Sequence, residues 1–187
     1  KLGEMIKVGR RGSLTGKLNI IGHQGHVAYP SRANNPSTII VNILKELKEI
    51  KFDKGTKDFQ PTNLEVTKIN INNNADNVIP ATAEATFNIR FNNKHSSNSL
   101  KKKLNQIFRK ITKNHKSKFK IEYRVSGEAF LTKPNKTTFM IQNVIKKITK
   151  LKPKLSTTGG TSDARFIRTI CPGLEFGLVG KTMHKVD

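Results

Sequence analysis

Residues 81–91 read ATAEATFNIRF, in which apolar and polar side chains alternate at every position. A period of two is the pattern of a β-strand with one buried face and one open face. The alternation places Arg90 on the face opposite the apolar side chains. This stretch therefore predicts a sheet that is covered on one face only.

Three other segments show the same alternation. Residues 17–21 precede the long strand, and residues 119–125 follow it in the chain. Residues 64–71 alternate in two phases, and the change of phase at 67–68 indicates a β-bulge. Together with residues 81–91, these segments predict four strands.

Two helices are predicted between these strands. Asn35 and Pro36 form a typical helix start, and apolar residues follow at three- and four-residue spacing up to Ile50. Residues 100–111 repeat in the same way behind possible caps at positions 96, 97 and 99. The order β-α-β-β-α-β predicts a ferredoxin-like, antiparallel sheet with two helices on one face.

The pattern changes after about Ser126. A strand, helix, strand order, with the last strand near 175–179, then favours an α/β class. We expect residues 13–125 to form a complete domain inserted in a larger α/β domain. Residues 1–12 are interpreted as a remnant and hinge of that larger domain, and residues 126–187 as its carboxy-terminal part. The α/β part has too few strands to close a sheet, and the missing neighbouring strands are expected upstream of Lys1.

The composition is strongly basic, with 35 Lys and Arg against 13 Asp and Glu and a net charge of +22. Such a charge attracts nucleic acid, anionic membranes or anionic small molecules, and much of it is interpreted as solvated lysine. Cys171, the one cysteine, favours a reducing compartment such as the cytoplasm. No stretch approaches the roughly 20 apolar residues of a membrane span.

Two motifs contain candidate functional groups. His26 lies in the string GHVAYP at a strand exit, where a histidine is either functional or a solvated turn residue. The string TTGGTSD at 157–163 joins a predicted strand to a helix start. Its amides could hold a carboxylate, or the segment could simply cap the helix.

Further candidates are dispersed along the chain. Arg10 and Arg90 could bind a carboxylate through the guanidinium fork, or could be surface charge. His184 follows a predicted strand end, but one histidine is no metal site, because a catalytic zinc needs about three protein ligands. His95 and His115 are interpreted as residues of exposed loops or helix ends.

Read together, the strings GRRGS (9–13), GHVAYP (25–30), NVIP (77–80), TGGTSD (158–163) and TMH (182–184) resemble the di-zinc aminoacylase and peptidase family, and GRRGS favours its desuccinylase branch. The resemblance spans nearly the whole chain. It implies two zinc ions per complete subunit, or cobalt in their place. His184 would then be the metal ligand that this chain supplies, with the other ligands and the general base upstream.

The same resemblance implies roles for other residues. His26 would donate a hydrogen bond to the oxyanion in the active site of a dimer partner. The implied substrate-binding residues are Arg10, Tyr29, Asn77, Arg90, Gly160 and Thr161, with Lys7 and Ser126 as further candidates. The family often has a second Asn before NVIP, whereas this chain has Asp76, which could face a substrate amino group.

The implied activity is the hydrolysis of the amide of N-succinyl-LL-2,6-diaminopimelate, by a homodimer in the bacterial cytoplasm, to succinate and LL-2,6-diaminopimelate. This reaction belongs to lysine and diaminopimelate biosynthesis, and the chain alone is expected to be inactive. A related acetylornithine deacetylase is one alternative. Another is a non-catalytic, basic dimerisation or RNA-binding module. An RNA-binding sheet of this kind needs aromatic residues on its open face. We expect neither nucleic acid nor membrane as a partner.

Overall fold

The computed structural model describes residues 4–177. Its strands are β1 Met5–Lys7, β2 Gly9–Arg10, β3 Gly12–Ile21, β4 Gly25–His26, β5 Asn63–Asn70, β6 Val78–Ile79, β7 Thr82–Phe91, β8 Lys118–Gly127, β9 Phe130–Leu131 and β10 Lys154–Ser156. Its α-helices are α1 Pro36–Glu49, α2 Ser97–Asn114, α3 Lys136–Thr149 and α4 Ala164–Ile167. A short 3-10 helix covers Pro30–Arg32.

The main sheet has four strands in the order β5-β7-β3-β8, and all of its neighbouring pairs are antiparallel. Chain order through this unit is β3-α1-β5-β7-α2-β8. The register of β5 against β7 shifts between Val66 and Lys68, where the bulge was predicted. The ferredoxin-like fold class is therefore confirmed.

Helices α1 and α2 cover one face of this sheet. The core between them includes Leu14, Leu18, Phe87 and Phe91, each fully buried. Phe119 and Tyr123 of β8 pack against the same core. The aromatic residues of β7 and β8 therefore belong to the core side of the sheet, which removes the stacking platform that an RNA-binding sheet would need.

The opposite sheet face is polar. Asn88 donates hydrogen bonds from Nδ2 to the side-chain oxygens of Ser13, at 3.2 Å, and of Thr15, at 2.9 Å. Arg90 lies on this face too, because it is paired with Ser13 in the register of β3 and β7. The alternation of residues 81–91 predicted this side of the sheet for Arg90 correctly.

Both predicted helix starts are also confirmed. Asn35 Oδ1 accepts a hydrogen bond of 2.9 Å from the Ser37 amide, and Pro36 occupies the first turn of α1. Ser96 is the cap of α2 and forms a reciprocal capping box with Ser99. These caps satisfy amides that have no partner inside the helix.

Outside the four-stranded sheet and its two helices, the chain forms short two-stranded sheets and the helices α3 and α4. Strand β1 pairs parallel to β10, and β2 pairs antiparallel to β9. Helix α3 leaves Met140, Val144 and Ile148 at least half exposed, and these residues lie on one helical stripe. The strand predicted near 175–179 is described only at its beginning, where Glu175 makes an antiparallel bridge with Lys7.

His95 directly precedes the Ser96 cap of α2, which agrees with its interpretation as a residue of a loop or helix end, but the side chain is not exposed. Its Nε2 lies 3.0 Å from Asp53 Oδ2, and only 20% of its side chain is exposed. Asp53 also accepts hydrogen bonds of 2.6 Å from the Gly55 amide and from Asn92 Nδ2. The loop after α1 folds back onto the β7–α2 connection. No local pattern in the sequence around His95 predicts this long-range contact.

No helix within residues 4–177 is long and apolar enough to cross a membrane.

Candidate functional site

The predicted site residues fall into two groups at opposite ends of the four-stranded sheet. Arg10 and Arg90 lie at the end where β3 begins and β7 finishes, whereas His26 follows the other end of β3. Strand β3 has ten residues, and at roughly 3.3 Å per residue it spans about 30 Å. The two groups of one chain are therefore far apart.

The pairing of β4 with β6 brings the GHVAYP and NVIP strings together at one end. His26 is opposite Val78 in this pair, and the Val27 amide donates a 3.0 Å hydrogen bond to the Asn77 carbonyl oxygen. His26 and Asn77 are therefore neighbours, although about 50 residues separate them in sequence. We call His26, Tyr29 and Asn77 the histidine cluster.

A backbone amide two residues further along the chain favours one tautomer of the His26 ring. The Ala28 amide donates a hydrogen bond of 3.1 Å to Nδ1 of His26. A ring nitrogen that accepts a hydrogen bond has no proton, so Nε2 carries the proton of the neutral imidazole. Because His26 is exposed, this Nε2–H group can donate to a molecule outside the chain.

Tyr29 lies close to this imidazole. Its ring centroid is 6.0 Å from that of His26, and 57% of the residue is exposed. The guanidinium of Arg32 lies 5.2 Å from the centre of the Tyr29 ring. An N–H donor, a phenol and an amide side chain at Asn77 are thus presented to solvent from one small surface.

At the other end, Arg10 is fixed by a junction cluster, which we define as Lys7, Arg10, Thr158, Gly159 and Glu175. Arg10 donates from Nε to Glu175 Oε2 at 2.8 Å and from Nη1 to the Thr158 carbonyl oxygen at 3.0 Å. A Cβ atom on Gly159 would lie 2.3 Å from Nη1, and the φ angle of Gly159 is +105°. Only glycine allows both this backbone conformation and this close approach.

Lys7 makes a second cationic contact in the junction cluster. Its ammonium group donates to Thr158 Oγ1 at 2.6 Å and to Ser156 Oγ at 3.3 Å. The pKa of Lys7 is lowered chiefly by burial and also by the nearby charge of Arg10, while Glu175 acts in the opposite direction. Two partly desolvated cations beside one carboxylate suit an anionic ligand.

Arg90 and Arg11 form another basic pair at this end of the sheet. Arg11 donates from Nη1 to the Pro61 carbonyl oxygen at 3.0 Å and to Asn63 Oδ1 at 2.8 Å, and Asn63 is opposite Arg90 in the sheet. The pKa of Arg11 is lowered by burial first and by the charge of Arg90 second. Arg11 Nε and Arg90 Nη1 are buried and lack hydrogen-bond partners in the described part of the chain.

The Gly160–Thr161 turn lies against the end of β8. A Cβ atom on Gly127 would be 4.0 Å from Thr161 Cγ2, and Gly127 is opposite Ser13 in the sheet. Arg90 pairs with Ser13 from the other side, so Arg90 and Gly127, the residue next to Thr161, flank the same residue. Gly160 is exposed, and a Cβ atom there would meet nothing within 4 Å.

Two contacts of this region were not predicted from the sequence. Glu175 belongs to none of the motifs, although an acid between Leu174 and Phe176 is a usable signal. The hydroxyl of Thr157 donates to the Asp58 carbonyl oxygen, which joins the Gly-Gly turn to the loop after α1. No local pattern indicated that second contact.

The predicted metal ligand His184 lies outside the described residues. Within residues 4–177, no group of three or more His, Cys, Asp or Glu side chains is arranged to hold a metal ion. The described residues therefore do not fit a zinc site by themselves. Any metal would depend on ligands from elsewhere in the protein.

Comparison with known proteins gives close relatives over the whole chain. The chain is 81% identical over 187 residues to a protein from Pelagibacter ubique (strain HTCC1062) named succinyl-diaminopimelate desuccinylase. It is 48% identical over its full length to a protein of the same name from Rickettsia bellii (strain RML369-C). The chain spans 49% and 48% of these relatives, which is about half of their length.

Solved structures of similar fold include a tripeptidase from Staphylococcus aureus. It matches with a TM-score of 0.77 and 18% identity, over 95% of this chain and 46% of the tripeptidase. The aminopeptidase PepT from Bacillus cereus matches with a TM-score of 0.74 and 15% identity, over 93% and 45%. At these identities the likeness concerns the fold.

A family model described as the peptidase dimerisation domain matches residues 8–116. This match contains the histidine cluster and most of the four-stranded sheet. Because it covers more than half of the 187 residues, the chain belongs to the peptidase dimerisation domain family.

Proposed function

We propose that this chain is the carboxy-terminal half of a zinc-dependent amidohydrolase. The complete enzyme would hydrolyse N-succinyl-LL-2,6-diaminopimelate to succinate and LL-2,6-diaminopimelate, in lysine and diaminopimelate biosynthesis in the bacterial cytoplasm. The observation that carries this proposal is the 81% identity, over the whole chain, to a relative named succinyl-diaminopimelate desuccinylase. The geometry of the two clusters supports it independently.

The proposed domain division follows the predicted boundaries. Residues 13–125 are the dimerisation, or lid, domain, with residues 1–12 as remnant and hinge and residues 126–187 as part of the catalytic domain. The exposed stripe on α3 supports this division, because Met140, Val144 and Ile148 are apolar positions that another part of a domain would cover. The two-stranded β1–β10 pair is likewise too small a sheet to stand alone.

Substrate carboxylates are the proposed ligands of the junction cluster and of Arg90. A guanidinium binds a carboxylate through two parallel hydrogen bonds, and Lys7 adds a point charge beside Arg10. Gly160 and Thr161 would add backbone and hydroxyl donors at the end of β8. A substrate with several carboxylates matches this excess of cations.

His26 is proposed to act in the active site of a second protomer. About 30 Å of sheet separates His26 from Arg10 in one chain, which is too far for both to touch one small substrate. A homodimer solves this, because the partner's histidine cluster can approach the junction cluster of the first protomer. Tyr29 and Asn77 would accompany His26, and the neighbouring Asp76 would face the substrate's amino group.

The chemistry proposed for His26 is hydrogen-bond donation to the oxyanion that forms when water attacks the amide. Its Nε2–H is free to donate because Nδ1 accepts from the Ala28 amide. A donor that is already oriented stabilises developing charge without reorganising during the reaction. His26 is therefore a stabilising donor in this proposal and not the general base.

Zinc would be held by His184 together with ligands that lie outside the described residues, and cobalt could replace it. When bound, the metal would polarise the amide carbonyl and lower the pKa of water towards about 7. The residues described above bind and orient the substrate around that centre. Without the remaining ligands and base, we expect this chain alone to be inactive.

A chimera tests the proposal directly. In this chimera, the chain replaces the matching 187 residues of the Pelagibacter ubique relative. We expect zinc-dependent release of succinate from N-succinyl-LL-2,6-diaminopimelate, much faster than deacetylation of N-acetylornithine. Faster cleavage of N-acetylornithine would contradict the substrate assignment, and desuccinylation by the chain alone would contradict its assignment as one half of the enzyme.

A further inference from the structure

We propose that Glu175 is a positioning residue that fixes the guanidinium of Arg10 so that its outer edge can bind the succinyl carboxylate of the substrate. This inference rests on the proposed function, because it assigns that carboxylate to Arg10. Glu175 lies outside the motifs that resemble the family.

The hydrogen bonds of Arg10 divide its guanidinium into a held side and a free side. Nε donates to Glu175 Oε2 at 2.8 Å, and Nη1 donates to the Thr158 carbonyl oxygen at 3.0 Å. A guanidinium has five N–H groups, so these contacts leave three of them on Nη1 and Nη2. That remaining edge can form the two parallel hydrogen bonds that a carboxylate accepts.

Glu175 is itself held in place by the backbone. Its amide donates to the Lys7 carbonyl oxygen at 3.0 Å, and its carbonyl oxygen accepts from the Lys7 amide at 2.8 Å. The carboxylate is therefore anchored to β1, three residues before Arg10. With 15% of the Arg10 side chain and 30% of the Glu175 side chain exposed, this pair is shielded more than a surface ion pair is.

The charge of Glu175 supports the same role. The nearby charge of Arg10 helps to lower the pKa of Lys7, and the charge of Glu175 acts in the opposite direction. Without the carboxylate, the long Arg10 side chain would turn away from Lys7 and lose its fixed orientation. A preorganised side chain binds its ligand better because less motion is lost on binding.

A merely structural salt bridge would predict a different result from the positioning role. Loss of a structural bridge lowers stability and affects all substrates alike. Loss of a positioning contact raises the KM of the substrate whose carboxylate Arg10 binds, and it has no further effect once Arg10 has been removed.

The first test uses this chain as it is, without catalysis. In ¹⁵N NMR spectra we expect a protected Arg10 Nε–H signal that persists in Glu175→Gln, whose amide oxygen can still accept, and disappears in Glu175→Ala. With succinate as the anionic probe, Glu175→Ala should weaken binding at Arg10 roughly tenfold. An unchanged signal and unchanged succinate affinity in Glu175→Ala would overturn the proposal.

The second test uses the chimera. Glu175→Ala should raise the KM for N-succinyl-LL-2,6-diaminopimelate roughly tenfold, with kcat changed less than about threefold, while the N-acetyl analogue is unaffected. Glu175→Gln should restore much of the loss. Added to Arg10→Ala, the Glu175→Ala change should cost little more, because both remove one interaction.

Equal losses for the succinyl and acetyl substrates, or additive losses in the double variant, would show a structural role and overturn the proposal. If the chimera does not cleave the succinyl substrate at all, the proposed function fails. The succinate titration of the chain then decides separately whether Glu175 positions Arg10 for an anion.

Discussion

The Ala28 amide donates a 3.1 Å hydrogen bond to Nδ1 of His26, and this contact selects the tautomer that presents Nε2–H to solvent. His26 is the last residue of β4 and Ala28 lies in the turn that begins there, so the orientation of the donor is set locally. No contact with a distant segment of the chain is needed to establish it. Such preorganisation is what an oxyanion donor requires.

The first prediction concerns this donor. His26→Ala in the chimera should lower kcat by about 100- to 1,000-fold, the usual cost of one oxyanion donor. KM should change much less, because the hydrogen bond strengthens only as the oxyanion forms. Steady-state kinetics with the succinyl substrate measures both effects, and a variant that retains wild-type kcat would contradict the role.

A mixing experiment tests the second prediction, that His26 acts across the dimer. His26→Ala and Arg10→Ala chimeras should each be nearly inactive. After dissociation and mixing, heterodimers contain one site with both residues intact, so activity should return to about a quarter of the wild-type value. A mixture that stays inactive while heterodimers form would show that His26 and Arg10 of the same chain must cooperate.

Gly159 carries the third prediction. Its φ of +105° and the 2.3 Å separation between a built Cβ and Arg10 Nη1 both disfavour a side chain. Gly159→Ala should therefore destabilise the chain by about 1–3 kcal/mol, through backbone strain and displacement of Arg10. The matched control is Gly160→Ala, where a Cβ meets nothing within 4 Å. Urea unfolding of both variants makes the comparison, and equal stabilities would contradict it.

The sheet could be predicted from the sequence because its information is local. The period-two run at 81–91 predicts that Arg90 lies on the open face of the sheet, and the change of phase at 67–68 predicts the bulge. The Asn35 and Ser96 caps could be predicted for the same reason, since a cap and the amide it binds lie within three residues.

Contacts between distant segments were harder to predict from the sequence. In the site, Glu175 contacts Arg10, 165 residues away, and elsewhere Asp53 contacts His95, 42 residues away. Neither contact follows from spacing or alternation. The roles proposed for His26, Arg90 and Thr161 rest on a resemblance between motifs. The structure adds which residues are neighbours within one chain.

The fourth prediction concerns acid stability and Asp53. Burial would raise the pKa of Asp53, but hydrogen bonds from Thr62, Gly55 and Asn92 outweigh it and lower the pKa to about 2. A carboxyl group with a lowered pKa stabilises the fold above its unfolded value of about 3.9, and this contribution is lost as the pH falls towards 2.

Asp53→Asn should therefore remove up to about 2 kcal/mol of stability at pH 7 and flatten the dependence of stability on pH between about 4 and 2. Urea unfolding across this range measures the effect. The exposed Asp76, changed to Asn, is the control and should leave the curve nearly unchanged. An Asp53→Asn variant with the same acid dependence as wild type would show that ionisation of Asp53 does not contribute to acid stability.

The last prediction is that the dimer forms along β5. This edge strand pairs only with β7 in the described sheet. Apolar Ile69 near its end is 57% exposed, and Ile71 directly after it is 37% exposed. An edge with exposed apolar residues and unpaired backbone groups readily adds a strand from another chain. Strand β8, at the opposite edge, exposes mainly charged side chains such as Lys118, Lys120 and Arg124.

Ile69→Lys should therefore shift the chain from dimer to monomer in sedimentation velocity at concentrations where the wild type is dimeric. Val125→Lys, at a 36% exposed position on β8, is the matched control and should remain a dimer. In the chimera, Ile69→Lys should also lower activity as it dissociates the dimer, because each junction cluster then loses its partner's His26. If only Val125→Lys dissociated the dimer, the interface would be assigned to β8 instead of β5. A monomer that keeps full activity would exclude catalysis across the dimer.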